Sequence, residues 1–272
     1  ERVEKQLRAN EERLAGENRD VALTSRILRV FVEEGDEDLF DKTLALVVDF
    51  AAHGTFIDSS DFEVSGDWPG AMARALEEAV PGAVVLFCQG ATGDVSPVKD
   101  IPGTNYERAE AYGLAVAEKL APAAKAPVKP EAELRCATLK QALPPLCFSP
   151  AFLESTAEEY PMDVTQGAAL LSLLLPTEAA FTAARVGDIL FASLPGEAVT
   201  TLGLDFKEAA RERGYAFPIP VGYANNYAGY LVSPDDYDKG GYETGTSFYG
   251  REVAAEMLKR ALAAVDALGG QP

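Results

Sequence analysis

The spacing of apolar and polar positions changes several times along the chain, and each change marks an element. Residues 1–14 are charged and helix-favouring, with Val3, Leu7 and Leu14 apolar, the pattern of a largely solvated helix. Residues 27–32 and 43–52 read as two strands joined by the solvated acidic turn Glu33-Glu34-Gly35-Asp36-Glu37-Asp38. Asp67 then stands as an N-cap, with Pro69 in the first turn of a helix whose Trp68, Met72, Ala75, Leu76 and Ala79 share one face. Residues 83–88 form an unbroken apolar run, the pattern of a strand covered on both faces. Residues 105–120 make a second amphipathic helix, with Ala109, Tyr112, Val116 and Leu120 on its inner stripe.

After Pro122, Pro127 and Pro130, residues 131–143 alternate as a strand does. Residues 144–176 are punctuated by proline and read as an irregular excursion or lid. Residues 181–194 hold two strand-like runs with a turn at Gly187-Asp188, and 197–213 a helix beginning at Glu197. A strand over 217–224 and a closing helix over 253–268 complete the set. Strands and helices alternate, without internal repeat. This predicts an α/β layered domain with a mixed, partly parallel sheet flanked by helices.

Composition narrows the function classes. A chain of 272 residues with 47% hydrophobic and 25% charged content can bury a sizeable core, as one large domain or two smaller ones. The net charge of −19 repels phosphate backbones and anionic lipid, which argues against nucleic acid as a partner. No apolar run approaches the roughly 20 residues that span a bilayer. The cysteines Cys88, Cys136 and Cys147 show no CxxC spacing, and an odd count argues against a full disulfide framework while leaving one bridge open. The chain opens on Glu1 rather than methionine and reads as cut at that end, with no signal peptide to see.

Candidate chemistry gathers just beyond the carboxyl ends of apolar runs, where open α/β sheets bind ligands. Gln89-Gly90-Ala91-Thr92-Gly93-Asp94-Val95-Ser96-Pro97 follows the run 83–88; its glycines permit close backbone approach, and Pro97 holds Ser96 extended. The same residues also suit an ordinary turn. His53, the single histidine, follows the strand 43–52 and reads either as a hydrogen-bonded structural residue or as a ligand. Glu197 reads as a first-turn acid complementing a helix dipole, or as a ligand. Tyr227 and Tyr230, in Asn225-Asn226-Tyr227-Ala228-Gly229-Tyr230, read as loop anchors or as ligands. His, Glu and Tyr together form an oxygen and nitrogen donor set of the kind zinc accepts.

Several of these stretches, in this order, resemble the neutral, non-lysosomal ceramidase family. Phe50-Ala51-Ala52-His53 is similar to its Phe-Ala-x-His strand end, and Ser65-Gly66-Asp67-Trp68-Pro69-Gly70 to its Ser-(Gly/Ser)-Asp-Asn-x-Gly helix start. Gly93-Asp94-Val95-Ser96-Pro97 is identical to its Gly-Asp-Val-Ser-Pro core, and Pro195-Gly196-Glu197 is similar to its Pro-Gly-Glu segment. Asn226-Tyr227-Ala228-Gly229-Tyr230, Asp235-Asp236-Tyr237, Tyr242-Glu243 and Tyr249-Gly250 parallel its closing tyrosine series.

The resemblance implies a zinc amidohydrolase that cleaves an N-acyl sphingoid base, or a similar lipid amide, to a fatty acid and an amine. It implies His53, Glu197 and Tyr230 as zinc ligands, with Tyr227 as the alternative tyrosine, and Ser96 as the catalytic serine supported by Asp94. It also implies a single catalytic domain over 1–272, and export, to the periplasm or outside the cell. The family's first metal histidine and its Asn-Arg-Ser-Pro arginine have no counterpart here, and neither does its C-terminal immunoglobulin-like domain. Two other functions stay open: a non-catalytic binding or scaffold protein that keeps the fold with an incomplete metal site, and a metal-free serine hydrolase in which His53 serves Ser96 as base.

Overall fold

A computed structural model of the chain describes residues 27–30, 43–124, 132–152 and 163–269. The expected N-terminal helix and the acidic turn 33–38 lie outside the described residues. The chain divides into two compact units, Glu1–Cys88 with Ser96–Lys129, and Gln89–Val95 with Pro130–Pro272.

The first unit holds a three-stranded sheet in the order β1 (Ile27–Val30), β2 (Ala45–Phe50), β3 (Val84–Gln89), with β1 antiparallel to β2 and Ile27 opposite Val48. Two helices accompany it, α1 (Asp67–Ala79) and α2 (Asn105–Ala124). Trp68 joins the elements. It is 0% exposed and meets Phe50 of β2 at 5.2 Å, Phe87 of β3 at 5.4 Å and Tyr112 of α2 at 5.4 Å between ring centroids. All three contacts are edge-on, the arrangement that suits aromatic quadrupoles. The two helices touch because Gly113 has no side chain: a Cβ there would lie 2.5 Å from Trp68 O and 2.6 Å from Ala71 Cβ. Burial alone raises the Tyr112 phenol to about 12.

Two expectations need correction in this unit. The run 83–88 predicts a strand covered on both faces, yet β3 alternates. Val84 and Leu86 are 56% and 51% exposed, while Phe87 turns toward Trp68. Side chains along a strand point alternately to opposite faces, and only one row of β3 finds aromatic cover. Asp67 is expected as the N-cap of α1, but it is the helix's first residue, at φ 48, and Gly66 occupies the cap. Its carboxylate accepts from its neighbour Trp68 N at 2.6 Å and also reaches back to Phe56 N at 2.9 Å and Ile57 N at 2.8 Å. Asp67 thereby ties the chain after His53 to the start of α1.

The second unit is built on a mixed sheet in the order β4 (Leu134–Ala142), β5 (Glu178–Val186), β6 (Ile189–Ser193), β8 (Phe217–Val221). β4 and β5 pair antiparallel over nine residues, β5 returns antiparallel to β6 through Gly187 at φ 57, and β6 runs parallel to β8. The crossover between the two parallel strands contains β7 (Glu197–Ala198) and α4 (Thr200–Glu212). α4 packs on β8, and α7 (Val253–Asp266) packs on β4, β5 and α4. Phe181, Leu190, Leu194, Leu202, Phe206, Leu231 and Met257 fill the core between them. The expected fold class, α/β with a mixed, partly parallel sheet and flanking helices, is what the chain forms.

The stretch 144–176 is not irregular throughout. Val164–Leu174 form a helix, α3, whose N-cap Asp163 accepts from Thr165 N and Gln166 N. An Asx cap followed by eleven residues without proline is enough to start and carry a helix, and Pro176 lies just past its end. Two short helices, α5 (Pro234–Tyr237) and α6 (Tyr242–Gly245), follow β9 (Tyr230–Leu231). Among the described residues no helix is long and apolar enough to cross a membrane, and the three cysteines are free thiols.

Candidate functional site

Glu197 does not begin a helix, as the sequence suggests. It lies in β7, three residues upstream of the start of α4 at Thr200, and pairs in parallel register with Tyr230 of β9. Glu197 N donates to Gly229 O at 2.9 Å, and this ladder draws the residue away from the helix start at Thr200. The pairing needs two glycines. A Cβ on Gly196 would lie 2.4 Å from Gly229 O, and one on Gly229 would lie 2.6 Å from Thr246 O. Any larger residue at 196 would push the strand bearing Tyr230 away from the one bearing Glu197.

Glu197 is 8% exposed, and its carboxylate sits among phenols. Tyr223 Oη donates to Oε2 at 2.7 Å and Tyr227 Oη donates to Oε1 at 2.5 Å. Tyr230 also hydrogen-bonds Glu197. Hydrogen bonds from neutral donors replace part of the hydration that a buried carboxylate loses. In return the phenols hold their protons more tightly than usual. Burial is the main cause for both Tyr223 and Tyr230, and the charge and acceptor oxygens of Glu197 add to it. Tyr223 and Tyr227 stack at 6.2 Å and 17°, and Tyr242 meets Tyr230 edge-on at 5.8 Å.

The loop carrying these tyrosines is anchored by asparagines. Asn225, at φ 70, donates from Nδ2 to Ala180 O, Thr182 Oγ1 and Ser193 Oγ, and Asn226 Nδ2 donates to Glu178 O. Left-handed backbone is tolerated by asparagine, and its amide can here latch the loop to β5 and β6.

The turn Gln89–Val95 packs against the same place. Gly93 N donates to Ala198 O at 2.8 Å, and a Cβ on Gly93 would lie 2.7 Å from Glu197 O. Gly222 N donates to Gln89 O at 2.8 Å, and a Cβ at Gly222 would meet Gly90 O at 2.9 Å. Asp94 Oδ1 accepts from both Thr200 N and Thr200 Oγ1 at 2.7 Å. It satisfies the first turn of α4, whose own N-cap, Val199, has no side-chain acceptor.

The second unit therefore brings together Asp94, Glu197, Tyr227 and Tyr230 of the residues expected from sequence. It adds Tyr223, Thr92 and Asn225, which that reading missed. Gly222-Tyr223 at the end of β8 was the available signal, a large residue after a glycine at a strand's carboxyl end. His53 and Ser96 belong to the first unit. His53 follows β2, and its carbonyl accepts from Trp68 Nε1 at 2.9 Å. Ser96 is exposed and follows the turn in which Val95 N donates to Thr92 O at 2.8 Å.

The donors at Glu197, one buried carboxylate with phenol oxygens in reach, are of a type that zinc accepts. They fit the carboxylate and tyrosine half of such a centre. Among the described residues no group of three or more His, Cys, Asp and Glu could hold a metal ion.

Fold and site together define an α/β protein with a buried, phenol-ringed carboxylate beside a glycine-rich turn. No protein-family model matches the chain, and no curated protein does. Solved structures do. Neutral ceramidase from Pseudomonas aeruginosa superposes at a TM-score of 0.65 with 19% identity, over 94% of this chain and 50% of that one. A ceramidase complexed with C2 superposes at 0.64 with 16% identity, over 96% and 52%. The chain has the neutral ceramidase fold and spans about half the length of those proteins. The likeness read from its motifs holds at the level of the fold.

Proposed function

We propose that the chain is a zinc-dependent amide hydrolase of the neutral ceramidase type, acting on an N-acyl sphingoid base or a similar lipid amide. The observation that carries this reading is the buried Glu197 carboxylate, held by three phenols next to the Gly93-Asp94 turn, in a chain with the ceramidase fold. In this reading the two units act as one catalytic domain. Glu197, Tyr230 and His53 hold the zinc, with Tyr227 as the alternative to Tyr230. Burial of Tyr230 and its register with Glu197 favour it, whereas Tyr227 is half-exposed.

Bound zinc would polarise the amide carbonyl or make a water acidic enough to attack. The chain's own residues do the rest. The Ser96 hydroxyl either attacks the carbonyl carbon or donates to the developing oxyanion. Asp94, fixed by Thr200, is the supporting acid beside it. Over the full cycle the C–N bond breaks, the acyl carbon gains the hydroxyl of water, and the amine leaves with a proton.

Metal content and fatty-acid release from an N-acyl sphingoid base test the proposal. About one zinc per chain is expected. Ser96→Ala should lower turnover by roughly 10²-fold or more while leaving the fold intact. Glu197→Gln should lose the metal. A protein that takes up no zinc on reconstitution and releases no fatty acid is the non-catalytic binding protein instead. Hydrolysis that survives strong chelation points to a metal-free serine hydrolase.

A further inference from the structure

We infer that Tyr223 is a positioning residue, setting the direction of the Glu197 carboxylate and coupling it to the Thr92-Gly93-Asp94 turn. The assignment rests on four observations that meet at one phenol. Its Oη donates to Glu197 Oε2 at 2.7 Å, while Tyr227 holds Oε1 at 2.5 Å. The two oxygens are therefore held by different donors, and the carboxylate cannot rotate without breaking one of these bonds.

Thr92, itself 0% exposed, hydrogen-bonds the same phenol, so a single oxygen links the acid to the glycine-rich turn. The ring lies nearly parallel to Tyr227, which limits the positions it can take. The backbone is also committed. Tyr223 sits at φ 56, a left-handed conformation that costs a bulky residue energy and persists only where the surroundings impose it. They do so here: Tyr223 N donates to Gly196 O at 3.0 Å, and Gly222 is pressed against Gly90. A tyrosine held in strained backbone, with its hydroxyl between a buried acid and a buried threonine, is placed for orientation rather than for filling space; the residue is 38% exposed.

Tyr223→Phe tests this, because it removes the hydroxyl and keeps the ring. The first readout is NMR of the intact chain and needs no metal. The Glu197 side-chain carboxyl resonance and the amides of Thr92 and Gly93 should all move. If the Thr92 and Gly93 amides move no more than that of Gly214, just past the C-terminal end of α4, the coupling does not exist. The second readout is zinc competition against a chelator, and it rests on the proposed function. Loss of a group that orients a ligand should weaken zinc binding roughly 10- to 100-fold. The urea midpoint should stay close to that of the parent.

Parent-like zinc affinity in Tyr223→Phe, with affinity lost in Glu197→Gln, overturns the proposal. A lower urea midpoint with carboxyl resonance and zinc affinity unchanged also overturns it, since Tyr223 would then serve stability alone. If the parent binds no zinc, the proposed function falls, and the NMR readout still decides the role of Tyr223.

Discussion

The two units solve the problem of close packing in opposite ways. In the first, side chains do the work. Trp68 is surrounded by Phe50, Phe87 and Tyr112, and one glycine, Gly113, lets two helices touch. In the second, side chains are withdrawn where the chemistry sits. Gly93, Gly196, Gly222 and Gly229 each face a backbone oxygen that a Cβ would approach within 3 Å. An aromatic core tolerates small rearrangement because flexible side chains can repack. A site made by backbone contact cannot, because strands and turns would have to move as bodies. The same glycines leave room for Glu197 to be buried among phenols.

The contrast can be broken by measurement. Trp68→Ala should show the largest effect, about 3–5 kcal/mol lost, read from urea denaturation followed by circular dichroism. A loss below about 1 kcal/mol would mean that the aromatic cluster does not hold the first unit. Next comes pH. An unfolded tyrosine ionises near 10, and Tyr112 in the folded chain near 12. Between those values the unfolded chain releases a proton that the folded chain keeps. The Tyr112 contribution is therefore full below pH 10 and lost as pH rises to about 12, by about 2–3 kcal/mol. Tyr112→Phe should remove that part of the alkaline slope; an unchanged slope would place its cause in other tyrosines.

Gly196→Ala should cost about 1–3 kcal/mol despite adding a single methyl group, because β7 and β9 must separate. The matching signature is movement of the Gly229 and Tyr230 amide resonances, and a neutral variant would refute the close-approach argument. The smallest effect belongs to Asp94→Ala, about 1 kcal/mol from the lost cap of α4. If hydrolysis falls far more than this stability change explains, Asp94 acts in the reaction and not only as a cap.

Much of this was legible in the residues themselves. The two hydrophobic periods located most of the helices and strands. The strand ends located His53, the Gly93-Asp94 turn, Glu197 and the Tyr227–Tyr230 loop as places where polar groups could be presented. The failures share a cause. Pro-Gly-Glu before an amphipathic stretch predicts a helix start at Glu197, and the competing partner, β9, is more than thirty residues away. The N–H groups that a cap serves are local, so Asp67 reads as a cap, whereas its carboxylate also accepts from Phe56 N and Ile57 N, ten or more residues away. Nothing near Tyr223 in sequence reveals that Thr92 and Glu197 lie within reach of its hydroxyl.

What the sequence alone determined is local: the period of each element, the turns that only glycine or asparagine can make, and the kinds of group left at strand ends. Backbone sterics and side-chain burial act over a few residues, so a linear pattern records them. What the tertiary structure decided is which oxygens share a carboxylate and which glycines touch. Those depend on strand register and loop closure between distant segments, and a shift of one residue would turn each side chain to the opposite face.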